Sequence, residues 1–248
     1  MAAGNEPARW ADLRQVVLAT SDIRRGGADA RRLFRLGPGF ADPELDAIGL
    51  ADDTMAVGSR RYLELVSPTR EDHPVARWLG TVGGAAGYVL STQVPSVEGI
   101  RERCRDLGVR IVADTAVNGH PIIQLHPKDM GVVLELDAYL PREGWFWDHL
   151  EPARLSRAHT GARIVDIRGV DIAADDPSAL AARWADVLGI APAAEGDGCH
   201  TLDFSGLPVR FVATGGDRAG LSRVYVEAAD AADRGNEVTL CRTVFHLV

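Results

Sequence analysis

Two strand-like runs each carry a carboxylate among apolar neighbours: Glu64 in Tyr62-Leu63-Glu64-Leu65-Val66, and Glu135 in Val132-Val133-Leu134-Glu135-Leu136-Asp137. A charge in such a run needs a partner, a metal or water, because burying it alone is costly. Glu64 and Glu135 are therefore the first candidates for chemistry. His120, before Pro121, stands at a strand entry and is a second-rank candidate for a cavity mouth. His73, His149 and His159 fall in connectors and are read as solvated.

The elements that must position Glu135 are the most legible in the chain. Tyr88 to Val94 is rich in β-branched and aromatic residues, and Pro95-Ser96 breaks it where Ser96 can cap a helix. Val97, Ile100, Cys104 and Leu107 recur at helical spacing until Gly108. Extended runs follow at Val109 to Ala113, Pro121 to Leu125 and Val132 to Leu136, which makes a βαβββ unit. The same order begins at Leu13 to Thr20. Ser21-Asp22 offers a cap, Ile23, Leu33 and Phe34 an apolar face, and Pro38-Gly39 a stop, before extended runs at 47–50, 54–57 and 61–66. The two units read as a duplicated module with Glu64 matching Glu135, joined by a short helix starting at Pro74.

The second half repeats the pattern less clearly. Residues 139–162, with Trp145, Phe146 and Trp147 among charges and prolines, read as a packed connector or as an aromatic platform for a ligand. Arg163 to Ala173 is a strand, and Asp176-Pro177 opens a helix with Leu180, Trp184, Val187 and Leu188 on one face, closed by Gly189. Short strands follow at 201–204 and 209–212, and residues 221–227 with 237–248 form a fourth, shortened copy. The expected class is α+β, with one domain over 12–138, a linker over 139–162 and a second, degenerate domain over 163–248.

Composition narrows the function. The 248 residues are 46% hydrophobic, enough for a sizeable core, and the net charge is −8 without a long Lys/Arg run, which argues against nucleic acid as the main partner. No apolar stretch approaches the roughly 20 residues of a membrane helix, and Met1 to Trp10 lacks the apolar centre of a signal peptide, so a cytoplasmic protein without membrane contact is expected. Cys104, Cys199 and Cys241 are too few and too scattered for a disulfide framework or a CxxC metal site, and read as core filler. Gly26-Gly27, Gly83-Gly84 and Gly215-Gly216 form neither GxGxxG nor a P-loop, so no nucleotide cofactor is expected.

Three segments together, Leu-Arg-Gln-Val-Val-Leu-Ala-Thr-Ser-Asp-Ile from residue 13, residues 63–79 and residues 122–136, resemble the vicinal oxygen chelate superfamily, and within it methylmalonyl-CoA epimerases and glyoxalase I. The resemblance covers roughly residues 12–138. It implies curved, cup-shaped mixed sheets built from paired βαβββ modules, each cup holding a divalent metal. Aligned by strand, the family's ligand positions fall on Gln15, Glu64 and Glu135, with Val89, or its neighbour Tyr88, at the third position where relatives carry His. Gln15, Glu64 and Glu135 are then the metal set, an oxygen-only one suited to magnesium, manganese or calcium more than zinc. Glu64 or Glu135 would also act as the general base beside a carbonyl polarised by the metal. Ser91 and Gln93 share the face of Val89 by alternation and line the cavity with it, and His126, in a turn the family also shows, either touches the ligand or only builds the turn. Structural roles stand beside these: relic carboxylates neutralised by an Arg, and a Gln that satisfies backbone groups.

In the second cup the same alignment places Gly169, Arg210, Arg223 and His246 at the four positions. An Arg cannot ligate a metal, so Arg210, Arg223 and His246 form a candidate anion site, unless the arginines pair with acids such as Asp166, Asp171 or Glu227. The expected function is a glyoxalase-like metal-dependent isomerase, epimerase or lyase acting on a small carbonyl compound or thioester, as monomer or homodimer. The alternatives are a metal-free small-molecule binding protein of the bleomycin-resistance kind and a structural or interaction protein.

Overall fold

A computed structural model describes residues 9–192 and 200–248. Cys199 and most of the lead-in before Trp10 lie outside the described residues. The chain is α+β, with a seven-stranded and a six-stranded mixed sheet wired alike. The first half runs β1 (Asp12–Thr20), α1 (Ile23–Phe34), α2 (Pro43–Ala47), β2 (Leu50–Val57), β3 (Arg61–Pro68), α3 (Pro74–Thr81), β4 (Ala85–Val94), α4 (Glu98–Asp106), β5 (Ile111–Val117), β6 (His120–Leu125), α5 (Pro127–Met130) and β7 (Val133–Ala138). A connector with α6 (Glu151–Arg157) leads to β8 (Ile164–Ala174), α7 (Pro177–Leu188), β9 (His200–Phe204), β10 (Leu207–Ala213), β11 (Gly220–Ala228), β12 (Glu237–Leu240) and β13 (Thr243–Leu247).

In the first sheet β1 and β4 lie antiparallel at the centre, β3 runs parallel to β1, and β7 parallel to β4. In the second, β8 and β11 take the central places, flanked by parallel β10 and β13. The strands Asp12-Leu13-Arg14-Gln15-Val16-Val17-Leu18-Ala19 and Asp166-Ile167-Arg168-Gly169-Val170-Asp171-Ile172-Ala173 are copies, each bulged at its Arg. Among the described residues, only the module from β4 to β7 is a complete βαβββ unit. In the first module the expected run at 47–50 does not form, because Asp42 and Pro43 start a helical turn over 43–47 and only Leu50 joins the strand that holds 54–57, and a further strand is reduced to a bridge between Phe40 and Thr54. Among the described residues, the modules of the second half carry three strands each.

Leu13, Val16 and Leu18 of β1 share one core with Ile167, Val170, Ile172, Trp184 and Phe211 of the second half. Gly87 lets β4 approach β11: a Cβ there would lie 2.6 Å from Leu221 Cβ. Three polar contacts pin the same seam. Trp184 Nε1 donates to Met130 O (2.9 Å), Arg103 Nε donates to Val187 O (2.7 Å), and Arg61 bridges the matched acids Asp12 (3.5 Å) and Asp166 (2.9 Å). The helix starts follow the expected caps at Asp22 and Asp176. Ser96 is displaced by one: Val97 occupies the cap position while the Ser96 hydroxyl accepts from Glu98 N–H, and Leu107, at the helix end, is exposed.

Candidate active site

The free face of the first sheet presents rows of side chains fixed by strand register. Gln15 stands opposite Ser91, Ser91 opposite Glu135, and Glu135 opposite Gln124. In the next row Glu64 stands opposite Val17, Val17 opposite Val89, and Val89 opposite Val133. Asp137 follows Glu135 by two residues and so shares its face. The sheet thus brings Gln15, Glu64, Val89, Ser91, Gln93 and Glu135 onto one surface: alternation places Val89, Ser91 and Gln93, and cross-strand register adds the rest.

Both ends of this surface are covered. At one, the connector lays Trp145, Phe146, Trp147 and Tyr139 over Tyr62 and Ile122, with His120 stacked on Tyr139 at 4.1 Å. At the other, Val75 and Leu79 of α3 pack on Val17, Val66, Val89 and Val133. The acids lie between. Glu64 is 6% exposed and Asp137 1%, while Glu135 is part-buried. Their hydrogen bonds come from neutral groups: Gln15 Nε2 to Glu64 (2.5 Å), Gln124 Nε2 to Glu135 (2.6 Å) and Ser91 Oγ to Asp137 (2.8 Å). Burial, and then the neighbouring acids Asp52 and Glu135, holds Glu64 well above the usual carboxylate range; burial and Glu135 do the same to Asp137. Burial also raises Glu135, against hydrogen bonds that favour its ionised form, and Asp52 is pushed up to about 6, chiefly by burial.

Gln15 is fixed by what surrounds it. Its Oε1 accepts from the indole N–H of Trp145 (3.0 Å) and of Trp147 (2.7 Å), and since an indole can only donate, the amide oxygen must face them. Its NH₂ group is thereby turned to Glu64. The expected metal set does not fit this arrangement. The oxygen Gln15 would offer a metal is taken twice, the third position is an apolar Val89, and among the described residues no three His, Cys, Asp or Glu side chains form a group that could hold a metal.

The opening to this surface is a cavity of about 510 Å³ beside α3 and α5, walled by Val75, Trp78, Tyr88, Val112 and Val133, and floored at one point by Gln124, the donor to Glu135. Tyr88 occupies the bulge between Val17 and Leu18, which turns its ring into the cavity, 5.1 Å from Trp78. Burial and then Glu135 push its phenol up to about 12. His126 also lines this cavity, while its Nδ1 accepts from Lys128 N–H and so builds the turn. Gln93 is committed elsewhere: it accepts from the buried Arg14 and donates to Tyr139 O. Asp137 is legible from its spacing to Glu135, and Tyr88, expected only as an alternative third ligand, is a wall residue instead; Gln124, Trp78 and Arg14 carry no such signal, because bulges and cross-strand register place them.

In the second sheet Arg210, Arg223 and His246 do share a face, as cross-strand neighbours of Asp171 and Tyr225. Each is engaged by an acid. Arg210 makes a two-pronged contact with Asp171 (2.7 and 3.1 Å), and Glu237 receives both Arg223 and His246. Asp171 was an expected partner; Glu237 was not.

Comparison with known proteins places the fold. A crystal structure of a hypothetical protein from Staphylococcus aureus superposes with a TM-score of 0.66 at 11% identity, over 96% of this chain and 99% of that one. Methylmalonyl-CoA epimerases, which have the vicinal oxygen chelate fold, are also structural neighbours. The Mycobacterium tuberculosis enzyme matches at 24% identity over 56% of this chain and 95% of its own, with a TM-score of 0.46. A Streptomyces coelicolor epimerase, solved with 2-nitronate-propionyl-CoA, matches at 23% identity over 53% and 99%, also with a TM-score of 0.46. These likenesses to the epimerases are partial and decide nothing about activity. No family model matches the chain, and no curated protein does. Among the described residues no helix is long and apolar enough to cross a membrane.

Proposed function

We propose that the first cup is the active centre of an isomerase or lyase that moves a proton beside the carbonyl of a small molecule, with Glu135 as the acid–base group. The observation that carries this reading is the Glu135–Asp137 pair. Burial raises the proton affinity of both acids, Glu135 raises that of Asp137 further, and a carboxyl whose proton affinity is raised can both take and return a proton. Glu135 is the member beside the cavity floor, through Gln124. Asp137, held by Ser91, sets the local charge. Glu64 is sealed behind Gln15 and positions it; in this reading it does not act as the base.

The reading departs from the metal-dependent form that the resemblance implies, and no step is routed through a metal. Tyr88 and Trp78 supply the wall that orients a carbonyl compound and excludes water. The test is deuterium uptake from solvent at the carbon next to the carbonyl, followed by NMR over a panel of small ketones, 2-oxo acids and thioesters. Wild-type protein should catalyse exchange for one class and Glu135→Gln should not. Exchange that survives in Glu135→Gln, with the variant folded, sinks the assignment. A compound that raises the melting temperature without exchange in either protein would favour a binding protein.

A further inference from the structure

The cavity beside α3 is not completed by the first half alone. Arg218, Ala219 and Gly220, from the turn that leads into β11, form part of its wall. Gly220, at φ +117°, sits where a Cβ would be 3.5 Å from Gly131 O, so the turn is held against the end of α5. Across the mouth stands Lys128, exposed, beside His126. Burial lowers the proton affinity of the Arg218 guanidinium, and the like charge of Arg242 lowers it further. Among the described residues, neither Arg218 nor Lys128 has a side-chain hydrogen bond or an ion pair. Elsewhere in this acid-rich chain Arg31, Arg61, Arg101, Arg110, Arg163 and Arg210 all meet carboxylates.

Unpaired cations gathered around an apolar cavity repel one another, and an entering anion relieves that repulsion while gaining charge-assisted hydrogen bonds. We infer that the turn before β11 turns this cavity into a site for a small amphipathic anion: an aromatic or branched body against Trp78 and Tyr88, and a carboxylate or phosphate on Arg218 and Lys128. The second half of the chain thereby selects the ligand of the first. The inference deepens the proposed function, since the same cavity leads to Gln124 and Glu135, but it concerns binding and is measured separately from proton transfer.

Isothermal titration of the full chain with phenyl phosphate, phenylacetate and the neutral 2-phenylethanol tests it. At least one anion should bind tenfold or more tightly than the alcohol, and phosphate and carboxylate are told apart by which anion is preferred. Arg218→Met combined with Lys128→Met should weaken the preferred anion at least tenfold and leave the alcohol unchanged, and Trp78→Ala should weaken every compound that binds. Raised salt should weaken the anion alone. Equal affinity for anion and alcohol, unchanged anion affinity in the double variant, or no binding of any of the three overturns the inference. Glu135→Gln should keep anion binding, so loss of the proton-transfer reading and loss of this one give different patterns.

Discussion

Replacing Gln15 tests whether its amide is a structural clamp or a spare ligand. In Gln15→Leu the volume is nearly kept, but two indole N–H groups lose their acceptor and Glu64 loses its amide donor. Trp145 is 1% exposed, so its N–H has no route to water, and an orphaned buried donor costs about 1–3 kcal/mol. Trp147 is half-buried and recovers part of its loss from solvent. Glu64, whose proton affinity burial raises, loses one donor. The sum is about 2–4 kcal/mol, which for a chain of this length is a drop of roughly 5–15 °C in melting temperature. Scanning calorimetry with and without added magnesium, manganese or zinc provides the measurement. The drop should be the same in each, and Gln15→Glu, which keeps an oxygen for both indoles, should lose little at pH 5 and more at pH 8. A Gln15→Leu variant melting within about 2 °C of wild type would refute the clamp, and metal stabilisation of wild type that vanishes in Gln15→Leu would restore the ligand role.

The raised acids make a second prediction whose sign is opposite to ordinary acid denaturation. Glu64, Glu135 and Asp137 hold protons in the folded state that they release when unfolded, so stability should fall as pH rises from the usual carboxylate range toward their folded values. Asp129, pulled down to about 2 by Arg110, works the other way and costs stability only as pH falls through its window, so the optimum in a pH series of melting curves should lie on the acid side of neutral; an optimum above pH 8 would count against the buried acids. Asp52→Asn should stabilise at pH 8, because the rise from 3.8 to about 6 sets a ceiling of ~3 kcal/mol that solvent at this part-buried site reduces to about 1. Arg61→Met, which strips Asp12 and Asp166 of a shared partner across the seam, should cost about 3 kcal/mol by urea unfolding, and a change below about 1 would show the bridge to be dispensable.

What could be read from the sequence follows from which interactions are local. Alternation put Val89, Ser91 and Gln93 on one face, and caps at Asp22, Asp176 and Gly189 placed helix ends, because each depends on residues a few positions apart. The partners of those faces are not local. Trp145 and Trp147 reach Gln15 from 130 and 132 residues away, and this contact converts an expected ligand into an acceptor for indoles. Bulges were equally hidden. One extra residue at Tyr88 turns a ring that alternation would send to the other face into the wall of the cavity.

The two copies of the central strand show why the first cup is the better place to look for chemistry. At matched positions the first copy has Gln15 and Val17 where the second has Gly169 and Asp171. Asp171, the acid that the second copy sets at this position, meets Arg210 and Tyr225 directly, which neutralises it within its own sheet. In the first copy the amide at Gln15 brings no charge, and the acids around it, Asp52, Glu64, Glu135 and Asp137 of β2, β3 and β7, accept from amides and two hydroxyls. A cluster of like charges kept without a cation is a standing cost to folding that an Arg at any of several nearby positions would remove. The second half shows that this fold accommodates that solution. Its absence from the first cup, next to an aromatic-walled cavity, is what a site built to exchange protons would retain.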